Sequence, residues 1–143
     1  DILESALRDA KIALSVGRLL PEGAELIENF GSFVLATFLD GSAAVEFACR
    51  LGRHLFESDL QVQIGLDRGK LLLVPADEPG EPWNVLGRPV YIASKLCHEL
   101  GEPNRIMMSG RAMEGVALPG PCTRFSHVVS AAPCEGAYLE IGA

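Results

Sequence analysis

The sequence predicts an α+β domain, an antiparallel sheet with helices packed on one face. Three observations carry this. Ile2–Leu20, the stretch after Ser42 and the stretch after Pro89 repeat apolar residues at helical spacing. Leu60–Leu66 alternates apolar and polar residues, and Ala24–Leu39 is rich in strand-forming residues around Gly31-Ser32. The two kinds of element interleave as helix, hairpin, helix, hairpin, loop, helix, strand, helix, hairpin, the order of a layered α+β fold.

In the first helix, Leu3, Leu7, Ala10, Leu14 and Gly17 share one face, flanked by Ala6, Ala13, Val16 and Leu20, and this face is expected to meet the core. Pro21 and Gly23 close the helix. Ala24–Leu39 then reads as a hairpin turning at Gly31-Ser32. Ser42 is a candidate N-cap for a second helix with Ala44, Phe47, Ala48, Leu51 and Leu55 on its buried side. Leu60–Leu66 is a half-buried strand, and Asp67-Arg68-Gly69 is expected to turn it into a second strand, Lys70–Val74.

The Pro-, Gly- and acid-rich stretch from Pro75 to Pro82 is a loop, so Asp77, Glu78 and Glu81 are loop acids. Pro89 suits a first helical turn, where a missing N–H costs nothing. Val90, Ala93, Leu96, Cys97 and Leu100 continue that helix to Gly101. Arg105–Met108 is a strand, Ser109 caps a short helix to about Val116, and Phe125–Val129 with Ala137–Ile141 form a last hairpin.

At 143 residues, 48% hydrophobic and 22% charged, the chain is one globular domain with enough length for a core. A net charge of −7 excludes a general nucleic-acid surface, which needs excess Lys and Arg. It leaves room for a nucleotide pocket built from local donors. Cys49, Cys97, Cys122 and Cys134 show no Cys-x-x-Cys spacing and are expected as reduced, unpaired thiols in a cytoplasmic setting. No apolar run approaches the ~18 residues of a membrane span, so this segment is expected to make no membrane contact. The chain opens on Asp1 and is expected to be a piece of a longer protein.

The string Trp83-Asn-Val-Leu-Gly-Arg-Pro-Val-Tyr-Ile-Ala-Ser-Lys-Leu96 resembles a signature of the class III adenylate and guanylate cyclases. Ile64-Gly-Leu-Asp-Arg-Gly69 resembles their "isoleucine-glycine-isoleucine, two residues, glycine" hairpin, and Arg105-Ile-Met-Met-Ser109 their "glutamine-isoleucine-leucine-valine-serine" strand. The resemblance runs from about residue 23 to 142 and implies a ferredoxin-like cyclase homology domain. It also implies a first central strand, carrying a metal-binding Asp, that is missing from this chain.

Carried over residue by residue, the resemblance puts Tyr91 at the catalytic Asn and Lys95 at the catalytic Arg. Glu28 and Asn84 fall at the base-reading positions, and Ser32 at the second metal-binding Asp. Glu28 has the chemistry to accept from guanine, and it also reads as an ordinary solvent-facing strand residue. Ser32 is a poor Mg²⁺ ligand beside a carboxylate, and Lys95 lacks the planar fork of Arg. Tyr91 and Lys95 also fit a plain helix surface, and His54 and His98 suit the ends of their helices.

The implied function is a catalytically degenerate cyclase-type module acting in regulation or dimerisation. The alternative is an active cyclase acting on ATP or GTP, its missing metal ligand lying upstream of Asp1. No cofactor is expected, and Mg²⁺ or Mn²⁺ only if the site turns over. The expected partners are a second copy or another cyclase-type domain, with ATP or GTP as the nucleotide. Phe33, Trp83 and Tyr91 are expected at or near the dimer contact.

Overall fold

A computed structural model describes residues 2–29, 34–81, 84–129 and 132–142. Helix α1 (Ile2–Leu19) leads into a hairpin of β1 (Glu25–Asn29) and β2 (Val34–Thr37), then helix α2 (Gly41–Glu57) and strand β3 (Gln63–Leu66). Strands β4 (Leu72–Val74) and β5 (Asn84–Leu86) precede helix α3 (Arg88–Lys95), which runs on into one turn of π-helix, Leu96–Leu100. Strand β6 (Arg105–Ser109), helix α4 (Gly110–Met113) and strands β7 (Thr123–Val129) and β8 (Ala132–Glu140) complete the order.

The main sheet has the order β3-β6-β8-β7. Pairs β6–β8 and β7–β8 are antiparallel, but β3 and β6 are parallel, with Gln63 opposite Arg105 and Leu66 opposite Met108. The expected hairpin of β3 with the strand after Gly69 does not form among the described residues. β4 pairs instead with β5, Leu72 opposite Leu86. A parallel neighbour needs a crossover, and α3 with its π-turn supplies it.

Helices cover both faces of this sheet, not one. Ile106 and Met108 point to α2, where they pack with Val45, Ala48 and Leu139. The residue between them, Met107, points the opposite way and packs with Ile92, Leu96 and Val129. All three are buried, so β6 carries apolar side chains on two faces, as a central strand must. Leu55 and Leu96, each 0% exposed, anchor the two sides; full burial of such a side chain stabilises by about 1.5–3 kcal/mol.

Helix α2 keeps the expected buried side, with Val45, Phe47, Ala48, Leu51 and Leu55 inward. Its N-cap is Asp40 and not Ser42, the carboxylate accepting from the Ser42 N–H at 3.0 Å. Helix α4 ends at Met113, short of Val116. The expected cap holds: Ser109 Oγ accepts from the Ala112 N–H at 3.2 Å.

The rotation of α1 is the reverse of the sequence expectation. Val16 is buried with Phe47, Leu51 and Leu55, and Ile12, Leu19 and Leu20 pack against the same cluster. Leu3, Leu7 and Leu14 face outward. Leu19 and Leu20 sit at the turn into β1, so chain continuity sets which of the two apolar stripes goes inward.

Between the β1–β2 hairpin and the main sheet lies a cavity of about 920 Å³. Every residue of β2 and of β3 lines it, and Val45, Phe47, Ala48 and Leu51 of α2 form part of its wall. Among the described residues β2 pairs only with β1, and β3 only with β6. A strand set between those two edges would join the hairpin to the sheet.

Candidate functional site

Tyr91 and Lys95 come together one turn apart on α3. The Lys95 ammonium lies 5.6 Å from the centroid of the Tyr91 ring and 3.5 Å from Oε1 of Glu99. The three residues form a stripe at four-residue spacing along the helix and its π-turn. Tyr91 is 48% exposed, so the stripe lies on the outside of the domain. Gly87, at φ 147°, precedes the helix, and a side chain there would run into the Lys70 carbonyl. Pro89 sits in the first turn as expected, and Gly101 closes the π-turn.

Asn84 opens β5, opposite Val74, and is exposed. Glu28 stands opposite Leu35 in the hairpin, next to a bulge after Leu26. The Glu28 side chain, Ser32, Phe33 and Trp83 lie outside the described residues. Among the described residues no group of three or more His, Cys, Asp or Glu is placed to hold a metal ion.

A second cluster escaped the sequence reading. Asp67 follows β3, Ser109 ends β6, and the parallel register sets them side by side. The Ser109 hydroxyl donates to Oδ1 of Asp67, and Arg111 Nη2 reaches Oδ2 at 2.9 Å. The Asp67 side chain is completely buried. Ser109 thus caps α4 and holds Asp67 with one oxygen. The sequence showed a turn residue and a cap; only the register shows that they meet.

Beside this cluster lies a cavity of about 320 Å³ lined by Arg88, Arg111, Glu114, Cys134 and Glu135 among others. Burial pushes the Cys134 thiol up, the Asp67 charge adds to this, and Arg111 and Arg88 oppose it. A thiol held in its protonated form is a poor nucleophile, so this cysteine is not set up for covalent chemistry.

No family model and no curated protein matches the sequence. Solved structures do match the fold. An adenylate/guanylate cyclase/hydrolase from Silicibacter pomeroyi superposes with a TM-score of 0.70 at 21% identity, over 92% of this chain and 79% of that one. The guanylate cyclase domain of RhGC from Catenaria anguillulae, solved in complex with GTP, gives 0.72 at 14% identity, over 97% and 84%. A dimeric guanylyl cyclase domain of the RhoGC fusion protein from Blastocladiella emersonii gives 0.70 at 14%, over 97% and 83%. The fold is that of the class III adenylate/guanylate cyclase catalytic domain, as the three sequence motifs imply.

Proposed function

We propose that this domain is a cyclase-type module without turnover, acting in regulation through pairing with a second cyclase-type domain, foremost another copy. The observation that carries this reading is the Tyr91–Lys95–Glu99 stripe. Phosphoryl transfer needs donors aimed at the charge that develops on the phosphoryl oxygens. Lys95, at the position that the resemblance gives to the family's Arg, lies between Glu99 and the Tyr91 ring on the helix surface. Tyr91 offers one hydroxyl where an amide would stand. Losing one positioned donor typically costs about 10²–10³ in rate, and here two are altered together with Ser32.

The pairing side of the reading rests on exposed apolar residues around the same segment. Leu72 and Leu86 face each other across β4–β5 and are 61% and 57% exposed, and α3 with Tyr91 follows directly. Apolar side chains grouped in this way mark interaction surfaces. The Blastocladiella domain, with the same fold, was solved as a non-canonical dimer, and a double mutant of it as a monomer.

The test is a cyclisation assay with ATP and with GTP, in Mg²⁺ and in Mn²⁺. No cyclic nucleotide above the protein-free blank is expected. Metal-dependent turnover that rises with protein concentration overturns the proposal and supports an active cyclase.

A further inference from the structure

Helix α1 is apolar on two opposite sides, and among the described residues only one of them meets the core. Ile12, Val16 and Leu19 meet the core. The other side carries Leu3, Leu7, Ala10, Leu14 and Gly17, spaced four, three, four and three residues apart, the seam of a two-helix coiled coil. Leu3, Leu7 and Leu14 are 69, 54 and 68% exposed. Single exposed leucines need no explanation, but a seam of them along 18 residues of helix does.

We infer that this seam pairs with the same seam of a second copy, the two helices running antiparallel. Size and charge both fit a two-fold axis between Arg8 and Asp9. In that register Leu3 meets Leu14 of the other copy, and Leu7 meets Ala10. Each large residue of the inner layers thus faces a small one, and the helices approach closely. Glu4 and Lys11 lie along one flank of the seam, seven residues apart. Antiparallel pairing brings Glu4 of each copy to Lys11 of the other, whereas a parallel pair sets like residues level with one another. On the opposite flank are Ala6 and Ala13, small enough for the same approach.

The exposed area of Leu3, Leu7 and Leu14 amounts to roughly 400 Å² on each copy, the size of apolar patch that on a monomer is often functional. Two such faces contribute roughly 800 Å² of the roughly 1,000 Å² that a specific interface needs, and the flanking Glu4, Ala6 and Lys11 side chains supply the rest. This surface lies on a different element from the Leu72, Leu86 and Tyr91 patch, so the two contacts are separable.

Sedimentation equilibrium across a concentration series tests the pairing. With the β4–β5 face blocked by Leu86→Asp the chain is expected still to dimerise, and adding Leu7→Gln with Leu14→Gln to make it monomeric, with unchanged circular dichroism because both leucine side chains face outward. A charge exchange tests the direction. Glu4→Lys and Lys11→Glu alone should each weaken the dimer about tenfold, since two symmetry-related pairs turn repulsive. Combined in one chain they should restore it. A monomer at every concentration overturns the inference. So does a dimer that survives the glutamines but is lost in Leu86→Asp, which would assign association to the β4–β5 face. Single charge variants that pair normally, or a double variant that fails to recover, overturn the antiparallel arrangement.

Discussion

Arg111 grips Asp67 across the sheet end, Nη2 to Oδ2 at 2.9 Å, with the carboxylate side completely buried and the guanidinium side 47% exposed. The two partners are therefore unequal. Removing Arg111 leaves a carboxylate inside the protein with, among the described residues, only Ser109 hydrogen-bonded to it. Removing the charge of Asp67 frees an arginine that can turn to water.

Arg111→Ala is thus expected to destabilise by about 2–3 kcal/mol, below the range for a fully buried pair because water reaches the arginine side. Asp67→Asn, which keeps the shape, should cost about 1 kcal/mol. Urea unfolding of the two variants reads the difference. Equal losses, or the reverse order, would show that the buried carboxylate does not depend on its arginine.

Gly65 lies against the carbonyl of Ala93, and a Cβ there would meet that oxygen and the Cys97 side chain. The missing side chain is what lets α3 lie directly on β3. Gly65→Ala is expected to cost about 3 kcal/mol or more, at the upper end for overpacking, because a backbone carbonyl cannot swing aside. Thermal unfolding checks this, and Gly17→Ala, in open space on an outward helix face, should be neutral or slightly stabilising.

The orientation of α1 gives an opposing pair of expectations. Val16→Ala should lose about 2 kcal/mol, as for a buried aliphatic residue. Leu7→Ala should change monomer stability by about 0.5 kcal/mol or less. Denaturant midpoints measured at low protein concentration decide it. A costly Leu7→Ala with a harmless Val16→Ala would mean that the helix is turned the other way.

Burial raises the thiols of Cys49, Cys97 and Cys134 above their ordinary 9.0, with Arg53 opposing the shift at Cys49. The folded chain then holds these protons more tightly than the unfolded chain. That contribution to stability is fully present below pH 9 and is lost as the pH rises through the folded values. The urea midpoint should fall as the pH is taken above 9, and Cys97→Ala should flatten the fall. In the folded protein at neutral pH, a thiol reagent should modify the exposed Cys122 ahead of the other three.

Much of the fold was legible because its signals are local. The pairing of β1 with β2, the buried side of α2, the Ser109 cap and the stop at Gly101 each depend on residues close together in the chain; the turn expected at Gly31-Ser32 lies outside the described residues. The parallel partner of β3 was not legible. Alternation along Leu60–Leu66 shows that one side is buried and says nothing of which strand lies alongside. The rotation of α1 was missed because two apolar stripes compete there and the winner is set by where Leu20 enters the hairpin. The meeting of Tyr91 with Lys95 followed from helical spacing. The Asp67–Ser109 contact spans 42 residues and depends on a register that neither segment states alone.

The parallel pairing of β3 with β6 also orders events in time. Strands β6, β7 and β8 are consecutive in the chain and pair antiparallel in the order β6-β8-β7, with only α4 and one loop intervening, so they can assemble as one local unit. β3 can add to that unit only after the whole crossover through α3 has been laid down, at a loop-closure cost that local hairpins avoid. Contacts of this range slow folding. Folding of this domain should therefore be paced by the docking of β3, with the Asp67 carboxylate among the last groups to leave water.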